Sequence, residues 1–145
     1  MVLGLLLLEG IHAYKAYTRY PGFDLIATDP GGSRLCKIQV KSRWATDYDH
    51  KFPMKKDVDC DFVILAELNR GKRGYIRKTL AVDIGQKPPR FFVFPAKTVN
   101  SRVKVSGGWS KVALADVPAA ESYIDRWDQI RTFLRMPPVA PAATS

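Results

Sequence analysis

The sequence predicts an α/β or α+β protein in which a central β-sheet is flanked by helices. Two observations lead to this prediction. Apolar residues recur at helical spacing near both ends of the 145-residue chain, whereas the segments between them alternate or run continuously apolar, as strands do. The order of helix, strands and helix favours a layered architecture over a helical bundle or a β-barrel.

The first half of the chain provides a helix and three strands. Residues 1–12 are apolar and free of proline, which predicts the first helix, and residues 13–19 alternate and predict the first strand. Two further strands are predicted over residues 23–28 and 34–42. They are joined by a strong turn signal, Asp29-Pro30-Gly31-Gly32-Ser33.

The second half provides a buried strand and a helix. Residues 44–59 are polar and predict a loop, whereas residues 61–68 contain a continuous apolar run that predicts a central buried strand. Short strands are predicted over residues 79–83 and 91–94. The clearest helix is predicted over residues 119–135, from the apolar stripe Tyr123, Ile124, Trp127, Ile130, Phe133 and Leu134.

These elements predict one domain over residues 1–135, followed by a flexible Pro/Ala-rich tail over residues 136–145. The apolar run Leu5 to Leu8 is much shorter than the roughly 20 residues of a membrane span, and no Lys or Arg precedes it as in a secretory signal. We therefore expect a soluble, cytoplasmic protein with no membrane partner. Two cysteines cannot form a disulfide scaffold or a four-ligand zinc site.

The charge of the chain points to a polyanionic partner. Lys and Arg number 23 against 14 Asp and Glu, which gives a formal net charge of +9. Such an excess favours nucleic acid, with acidic lipid as the less favoured partner. The alternative is a charge that only keeps the protein soluble.

Basic residues are densest in the middle of the chain. Residues 51–90 hold ten Lys or Arg against five acidic residues, and Arg70, Lys72 and Arg73 lie in a segment punctuated by glycines. This composition is typical of a phosphate contact, although a solvated hairpin tip is an equal alternative. Arg43 is a further candidate for a phosphate contact. Glu67, at the end of the buried strand, is interpreted as one half of a strand-end ion pair.

The register of the predicted hairpin can be derived from its pattern. With a four-residue loop over residues 30–33, Asp24 lies opposite Gln39. One face is then wholly apolar and includes Phe23, Leu25, Ile38 and Val40, and the other carries Asp24, Lys37, Gln39 and Lys41. A slip of one residue would mix the two faces, so the pattern itself supports this register.

The polar face has the chemistry of a cation site. Asp24 offers a carboxylate, Gln39 an amide oxygen and Val40 a main-chain carbonyl, which are ligands that Mg²⁺ accepts. Lys41 would then orient or deprotonate a water, or stabilise charge that develops on a phosphate. The alternative is a solvent-facing strand pair in which Asp24 and a lysine form a weak ion pair.

The segments Gly22-Phe23-Asp24-Leu25-Ile26-Ala27 and Lys37-Ile38-Gln39-Val40-Lys41-Ser42 resemble the core of the PD-(D/E)xK nuclease superfamily. The similarity is strongest to the branch of Holliday junction resolvases and homing endonucleases. It implies a restriction-endonuclease-like core with the order helix-strand-strand-strand-helix-strand around a mixed sheet. It also implies catalytic roles for Asp24, Gln39 and Lys41, with Mg²⁺ or Mn²⁺ bound by Asp24 and Gln39.

The chain departs from the superfamily pattern at three positions. Phe23 stands where the proline would be, and the neutral Gln39 replaces the usual acidic residue. The resemblance assigns the acidic residue of the first helix, a further metal ligand, to Glu9. Glu9 lies only 15 residues before Asp24, which leaves little room for a strand between them, and a solvated helix end is the alternative.

The resulting hypothesis is a metal-dependent nuclease-like protein that hydrolyses phosphodiester bonds in DNA, with a homodimer expected by analogy. The alternative is a catalytically inactive nucleic-acid-binding or assembly module of the same fold. A third hypothesis is a structural protein that shares the fold alone.

Overall fold

The computed structural model describes residues 1–17, 22–46, 50–73, 80–81 and 85–140 of the chain. Within them, the helices are α1 (Val2–Leu8), α2 (Ala96–Asn100) and α3 (Asp128–Phe133), and 3₁₀ turns occur at Leu114–Asp116 and Ala120–Tyr123. The strands are β1 (His12–Lys15), β2 (Leu25–Thr28), β3 (Leu35–Arg43), β4 (Lys51–Pro53), β5 (Phe62–Glu67), β6 (Lys72–Arg73), β7 (Leu80–Ala81), β8 (Arg90–Pro95), β9 (Lys104–Ser106) and β10 (Trp109–Ala113). No helix in these ranges is long and apolar enough to cross a membrane.

Five strands form the central sheet, in the order β1-β2-β3-β5-β8. β3 and β5 are parallel, and the other neighbouring pairs are antiparallel, so the predicted mixed sheet is confirmed. Leu25 pairs with Ile38 and Ala27 with Cys36. This is the predicted hairpin register, which is set by the apolar alternation on both strands and by the turn between them.

Both faces of the central sheet are covered. On one face, helices α1 and α3 contribute Leu6, Ile130 and Leu134 to a core that includes Ile38 and Ile64. On the other face, a second sheet with the order β4-β10-β9 contributes Phe52 and Val112. All six residues of β5 are buried, as predicted for a central strand with both faces covered.

The connection between β3 and β5 differs from the prediction. The resemblance implied a helix here, and the polar composition of residues 44–59 predicted a loop. In the described part of this segment the chain forms strand β4, which pairs with β10 in the second sheet. The crossover that joins two parallel strands therefore passes through a strand rather than the more usual helix.

The predicted helix over residues 119–135 is also wrong in its extent. The chain forms a 3₁₀ turn, then an extended residue, Ile124, that bridges to Phe92, and only then the short helix α3. Asp125 has a φ of 51°, and its N–H donates to the carbonyl of Phe91 at 2.9 Å. Pairing with the edge strand β8 therefore replaces helical hydrogen bonds at the centre of the predicted helix.

The remaining predicted elements differ at their ends. The first strand ends at Lys15, earlier than predicted, and residues 18–19 lie outside the described part of the chain. β7 covers two residues of the strand predicted over residues 79–83, of which 79, 82 and 83 are not described. The boundary between domain and tail stays a prediction, and Arg131 holds the carbonyl of Pro137 just beyond it.

Candidate functional site

The predicted site begins where β2 starts. The N–H of Asp24 donates to the carbonyl of Ile38 at 2.8 Å, which extends the hairpin ladder by one residue. The Asp24 carboxylate then accepts two hydrogen bonds through Oδ2, one from the Gln39 side-chain amide and one from the Val40 N–H at 2.7 Å. The hairpin register thus brings Asp24 and Gln39 together.

Asp24, Gln39 and Lys41 line one cavity of about 260 Å³. Asp24 is exposed, Lys41 is half-buried and Gln39 is only 6% exposed. The other lining residues are Gly22, Phe23, Lys55 and Val58. A carboxylate, an amide and two lysines therefore converge on a small cavity at one end of the β2–β3 hairpin.

Two residues of this cavity were not predicted to lie there. Phe23 was assigned to the buried apolar face, but β2 begins only at Leu25, so the alternation does not extend to Phe23. The ammonium of Lys37 lies 5.7 Å from the centre of its ring. Lys55 follows β4, whose position depends on pairing with β10, so no local signal in the sequence could have placed it.

A close approach of two backbones shapes one wall of the cavity. Gly22 has a φ of 129°, and a Cβ at this position would lie 3.1 Å from the carbonyl oxygen of Asp59. Glycine adopts this φ without strain, and it has no Cβ to collide with the Asp59 carbonyl oxygen. The segment that begins at Asp59 is tied to β3, because the Asp61 carboxylate accepts the Lys37 N–H at 2.7 Å.

The thiol of Cys60 lies near the same residues, but it is not a reactive group. Burial raises its pKa to about 11, together with the negative charges of Asp61, Asp59 and Asp24, and a hydrogen bond from the Gln39 backbone opposes part of this shift. The thiol is therefore neutral at pH 7, and it is neither a nucleophile nor a ready thiolate ligand there.

The donor atoms around Asp24 fit a hard divalent cation. The carbonyl of Ile38 and the N–H of Val40 both face β2. Main-chain groups of residues two apart on a strand face the same neighbour, so the Val40 carbonyl belongs to this side as well. Rotation of the Gln39 amide would present its oxygen to the cavity in place of its nitrogen, which gives three oxygen donors of the kind that Mg²⁺ and Mn²⁺ prefer.

This donor set holds a single carboxylate. Among the described residues there is no group of three or more His, Cys, Asp or Glu side chains that could hold a metal ion. One negative charge and two neutral oxygens bind a divalent ion less strongly than two carboxylates would.

Glu9 lies at a different place in the fold. It caps the C-terminus of α1, and its main-chain carbonyl accepts a hydrogen bond from the guanidinium of Arg131. It lines a separate cavity with Trp127 and Asp128, beside α3. The structure therefore does not bring Glu9 into the cavity that Asp24, Gln39 and Lys41 share.

The predicted phosphate contacts lie at the C-terminal end of β3 and in the segment that follows β5. Arg43 is the last residue of β3 and is half-buried. The Arg70 N–H donates to the carbonyl of Trp44 at 2.9 Å, and both Arg70 and Lys72 are exposed. Arg73 belongs to β6, but the position of its side chain lies outside the described structure. None of these four is among the residues that line the Asp24 cavity.

The strand-end ion pair predicted at Glu67 is present. Glu67 is only 1% exposed, and its carboxylate binds the imidazole of His50 and the guanidinium of Arg90, the latter at 2.7 Å. Burial alone would raise its pKa, but these two partners outweigh that effect and hold the pKa below its usual value. His50 is therefore part of a buried-carboxylate cluster.

Comparison with known proteins gives similarity at the level of structure alone. No protein-family model and no curated protein sequence matches the chain. A bacterial homing endonuclease, I-Ssp6803I, has a TM-score of 0.49 and 20% identity, over 92% of this chain and 83% of that one. The Holliday junction resolvase Hjc of Archaeoglobus fulgidus has a TM-score of 0.44 and 14% identity, over 89% of this chain and 96% of that one. These similarities concern the path of the chain and assign no role to any residue.

Proposed function

We propose that this chain is a metal-dependent nuclease-like protein that hydrolyses phosphodiester bonds in DNA. The observation that carries the proposal is the contact of the Asp24 carboxylate with the Gln39 side chain and the Val40 N–H, in a cavity that Lys41 also lines. The formal net charge of +9 supports a polyanionic substrate.

The residues of this cavity would have different roles in the reaction. Asp24, Gln39 and the Val40 carbonyl would hold the cation, and the hydrogen bond from the Val40 N–H to Asp24 Oδ2 would keep the carboxylate oriented. A bound Mg²⁺ or Mn²⁺ would polarise the phosphate and acidify a water molecule. Lys41 would stabilise the negative charge that develops on the phosphate oxygens, and Lys55, which also lines the cavity, would help to neutralise the phosphate.

The wider surface would position the DNA. Arg43, Arg70, Lys72 and Arg73 are proposed to contact phosphates outside the reacting one, where they would contribute affinity but no chemistry. Because a duplex has two strands to cut, the proposal includes a homodimer, and it places the protein in the cytoplasm. Glu9 is not given a role, since it lines the cavity beside α3.

The direct test is the nicking of supercoiled and branched DNA in millimolar Mg²⁺ or Mn²⁺. Asp24→Asn should lower the rate by about a hundredfold or more, since it removes the one charged donor. Asp125→Asn is a matched control, because Asp125 is also an exposed aspartate and its φ of 51° suits asparagine. Equal rates for the two variants would contradict the proposal.

The alternative is an inactive nucleic-acid-binding or assembly module with the same fold. The observation that favours it is the neutral side chain of Gln39, which leaves a single negative charge among the three donors. This alternative predicts salt-dependent DNA binding in a chelator and no nicking in either metal, with DNA affinity unchanged by Asp24→Asn.

A further inference from the structure

A surface with an exposed tryptophan lies on the outer side of the second sheet. The inner side packs on the central sheet through Phe52 and Val112, both fully buried. Side chains alternate along a strand, so the residues on either side of these two face outward. The outward set is Lys51, Lys104, Ser106, Trp109 and Lys111, which line a cavity of about 330 Å³ together with Ala113 and Asp116. We call this set the outer β-surface.

The position of Trp109 is unusual for so large an apolar side chain. Trp109 is 69% exposed, although β10 is the central strand of its sheet. It pairs with Ser106, a small residue that leaves the indole face open. At the first residue of β10, next to the Gly107-Gly108 turn, the indole is open to solvent and is a ready platform for another flat ring.

The lysines of the outer β-surface are arranged unfavourably in the free protein. Lys104 lies directly opposite Lys111, and like charges in this position destabilise a strand pair. Asp116 offsets part of the repulsion through an ion pair with Lys104 at 2.9 Å, but Lys104 and Lys111 against this one aspartate still leave a net positive charge. A partner with closely spaced negative charges would relieve the remaining repulsion.

We propose that the outer β-surface binds a single-stranded stretch of nucleic acid, with one unpaired base stacked on Trp109 and the flanking phosphates bound by Lys51, Lys104 and Lys111. Proteins that bind single strands combine cationic side chains with exposed aromatic rings, because every unpaired base has a free π-face. The bases of a duplex are stacked on one another, so they do not offer this face.

The outer β-surface is continuous with the candidate site along the chain. β4 carries Lys51 on this surface and runs through Met54, buried in the same core, to Lys55, which lines the Asp24 cavity. The proposal rests on the proposed function for its substrate class, because it names an unpaired stretch as part of the DNA that this protein would bind.

The test is a binding measurement in a chelator, where no metal-dependent cleavage occurs. Fluorescence anisotropy would compare an oligo(dT) of about 12 nucleotides, within the usual site size, with an abasic oligonucleotide and a duplex of equal length. The abasic strand has the same charge but no bases to stack. Trp109→Ala should raise the Kd for oligo(dT) roughly tenfold, the equivalent of one stacked base, and leave the Kd of the abasic strand unchanged.

Three further variants test whether the effect depends on an aromatic ring at this position and on the charge beside Lys104. Trp109→Phe keeps a ring and should retain most of the affinity. Tyr14→Ala removes another exposed aromatic residue, on the edge strand β1, and should have no effect. Asp116→Asn removes the negative charge beside Lys104, so it should tighten binding of both strands about equally.

The result that would overturn the proposal is an equal effect of Trp109→Ala on the oligo(dT) and abasic strands, or no effect on either. An equal loss of duplex affinity in Trp109→Ala would also overturn it. Oligo(dT) should quench the tryptophan fluorescence of the wild type more than that of Trp109→Phe, which retains Trp44 and Trp127. Trp109-dependent binding without nicking in either metal would refute the hydrolytic function and leave this surface standing, whereas nicking without such binding would refute this proposal alone.

Discussion

The side-chain amide of Gln39 donates a hydrogen bond to the carboxylate of Asp24 across the β2–β3 hairpin. Gln39 is almost fully buried, whereas Asp24 is exposed at the mouth of the same cavity. The amide therefore gives the Asp24 carboxylate a hydrogen-bond donor. The acidic residue that is usual at this position would instead place a second carboxylate beside Asp24. A neutral partner stabilises the metal-free protein, and it would bind a cation less tightly than a carboxylate would.

Gln39→Glu should destabilise the metal-free protein and strengthen the binding of a cation. In a chelator, the two carboxylates would repel each other, and the loss of a hydrogen bond to a charged group should lower stability by about 2 kcal/mol. Added Mg²⁺ or Mn²⁺ should recover the loss, because a bound ion stabilises the folded state by mass action. Thermal denaturation with and without metal measures both effects. A Tm equal to that of the wild type in the chelator would show that the two side chains are not in contact.

Glu67 should contribute to stability in a pH-dependent manner. Its folded-state pKa is lowered by His50 and Arg90 against the effect of burial, so its contribution is present above the unfolded pKa of about 4.3 and is lost as pH falls through the folded value. Glu67→Gln should destabilise the protein by roughly 2–3 kcal/mol at pH 7 and flatten the acid side of the stability profile.

Glu121→Gln is the matched control for that variant. Glu121 also pairs with Arg90, at 3.1 Å, but its side chain is 71% exposed. Its loss should change the free energy of unfolding by less than about 0.5 kcal/mol. Urea denaturation between about pH 3 and pH 7, a window that includes the ordinary carboxyl pKa values, measures both. Similar losses for the two variants would contradict the role given to burial.

Gly22→Ala should destabilise the protein through a collision as well as through its backbone conformation. Its new Cβ would lie 3.1 Å from the Asp59 carbonyl oxygen, whereas a Cβ at Gly32, whose φ is 67°, would meet nothing within 4 Å. We expect a loss of roughly 2–3 kcal/mol for Gly22→Ala and about 1 kcal/mol for Gly32→Ala. Equal losses would mean that the backbone at Asp59 moves away freely.

Cys60 should react slowly with thiol reagents. With a pKa of about 11, its thiolate fraction at pH 7 is roughly a hundredfold below that of an ordinary cysteine. Alkylation by iodoacetamide, followed by mass spectrometry, should give a rate that rises about tenfold per pH unit up to pH 10. A rate that levels off near pH 8 would show that burial does not control this thiol.

The basic segment after β5 should govern the salt dependence of duplex DNA binding. If about five phosphates are neutralised, log K should fall with a slope near −4 to −5 against log salt. Replacement of Arg70, Lys72 and Arg73 by Ala should flatten the slope, and replacement of Lys97, an exposed lysine on α2, should change it by one unit at most. An unchanged slope for the triple variant would identify these residues as a solvated turn.

The candidate site could be predicted where the information is local. The apolar alternation of β2 and β3, with the turn between them, is sufficient to set the register that brings Asp24 to Gln39. Lys55 could not be predicted, because β4 is positioned by β10, which lies more than fifty residues further along the chain. The pattern of residues along the chain does not indicate which distant strands pair.

The error at the last helix has a similar cause. Tyr123 and Ile124 pack against the core under the second sheet, whereas Trp127, Ile130 and Leu134 enter the core under α1. These cores lie on opposite faces of the central sheet, so one straight helix could not reach both. The apolar stripe of residues 119–135 indicated which residues are apolar. It could not reveal that the chain passes from one face of the central sheet to the other around β8.

The most direct measurement of the central claim, that Asp24 and Gln39 share one cation beside Lys41, is the metal dependence of DNA nicking. The wild type should require millimolar Mg²⁺ or Mn²⁺, and Gln39→Glu should reach half its maximal rate at a lower concentration, because it adds a charged ligand. Lys41→Ala should lower the maximal rate about a hundredfold or more with little change in that concentration. No nicking by the wild type in either metal, with no gain of metal affinity in Gln39→Glu, would contradict the account.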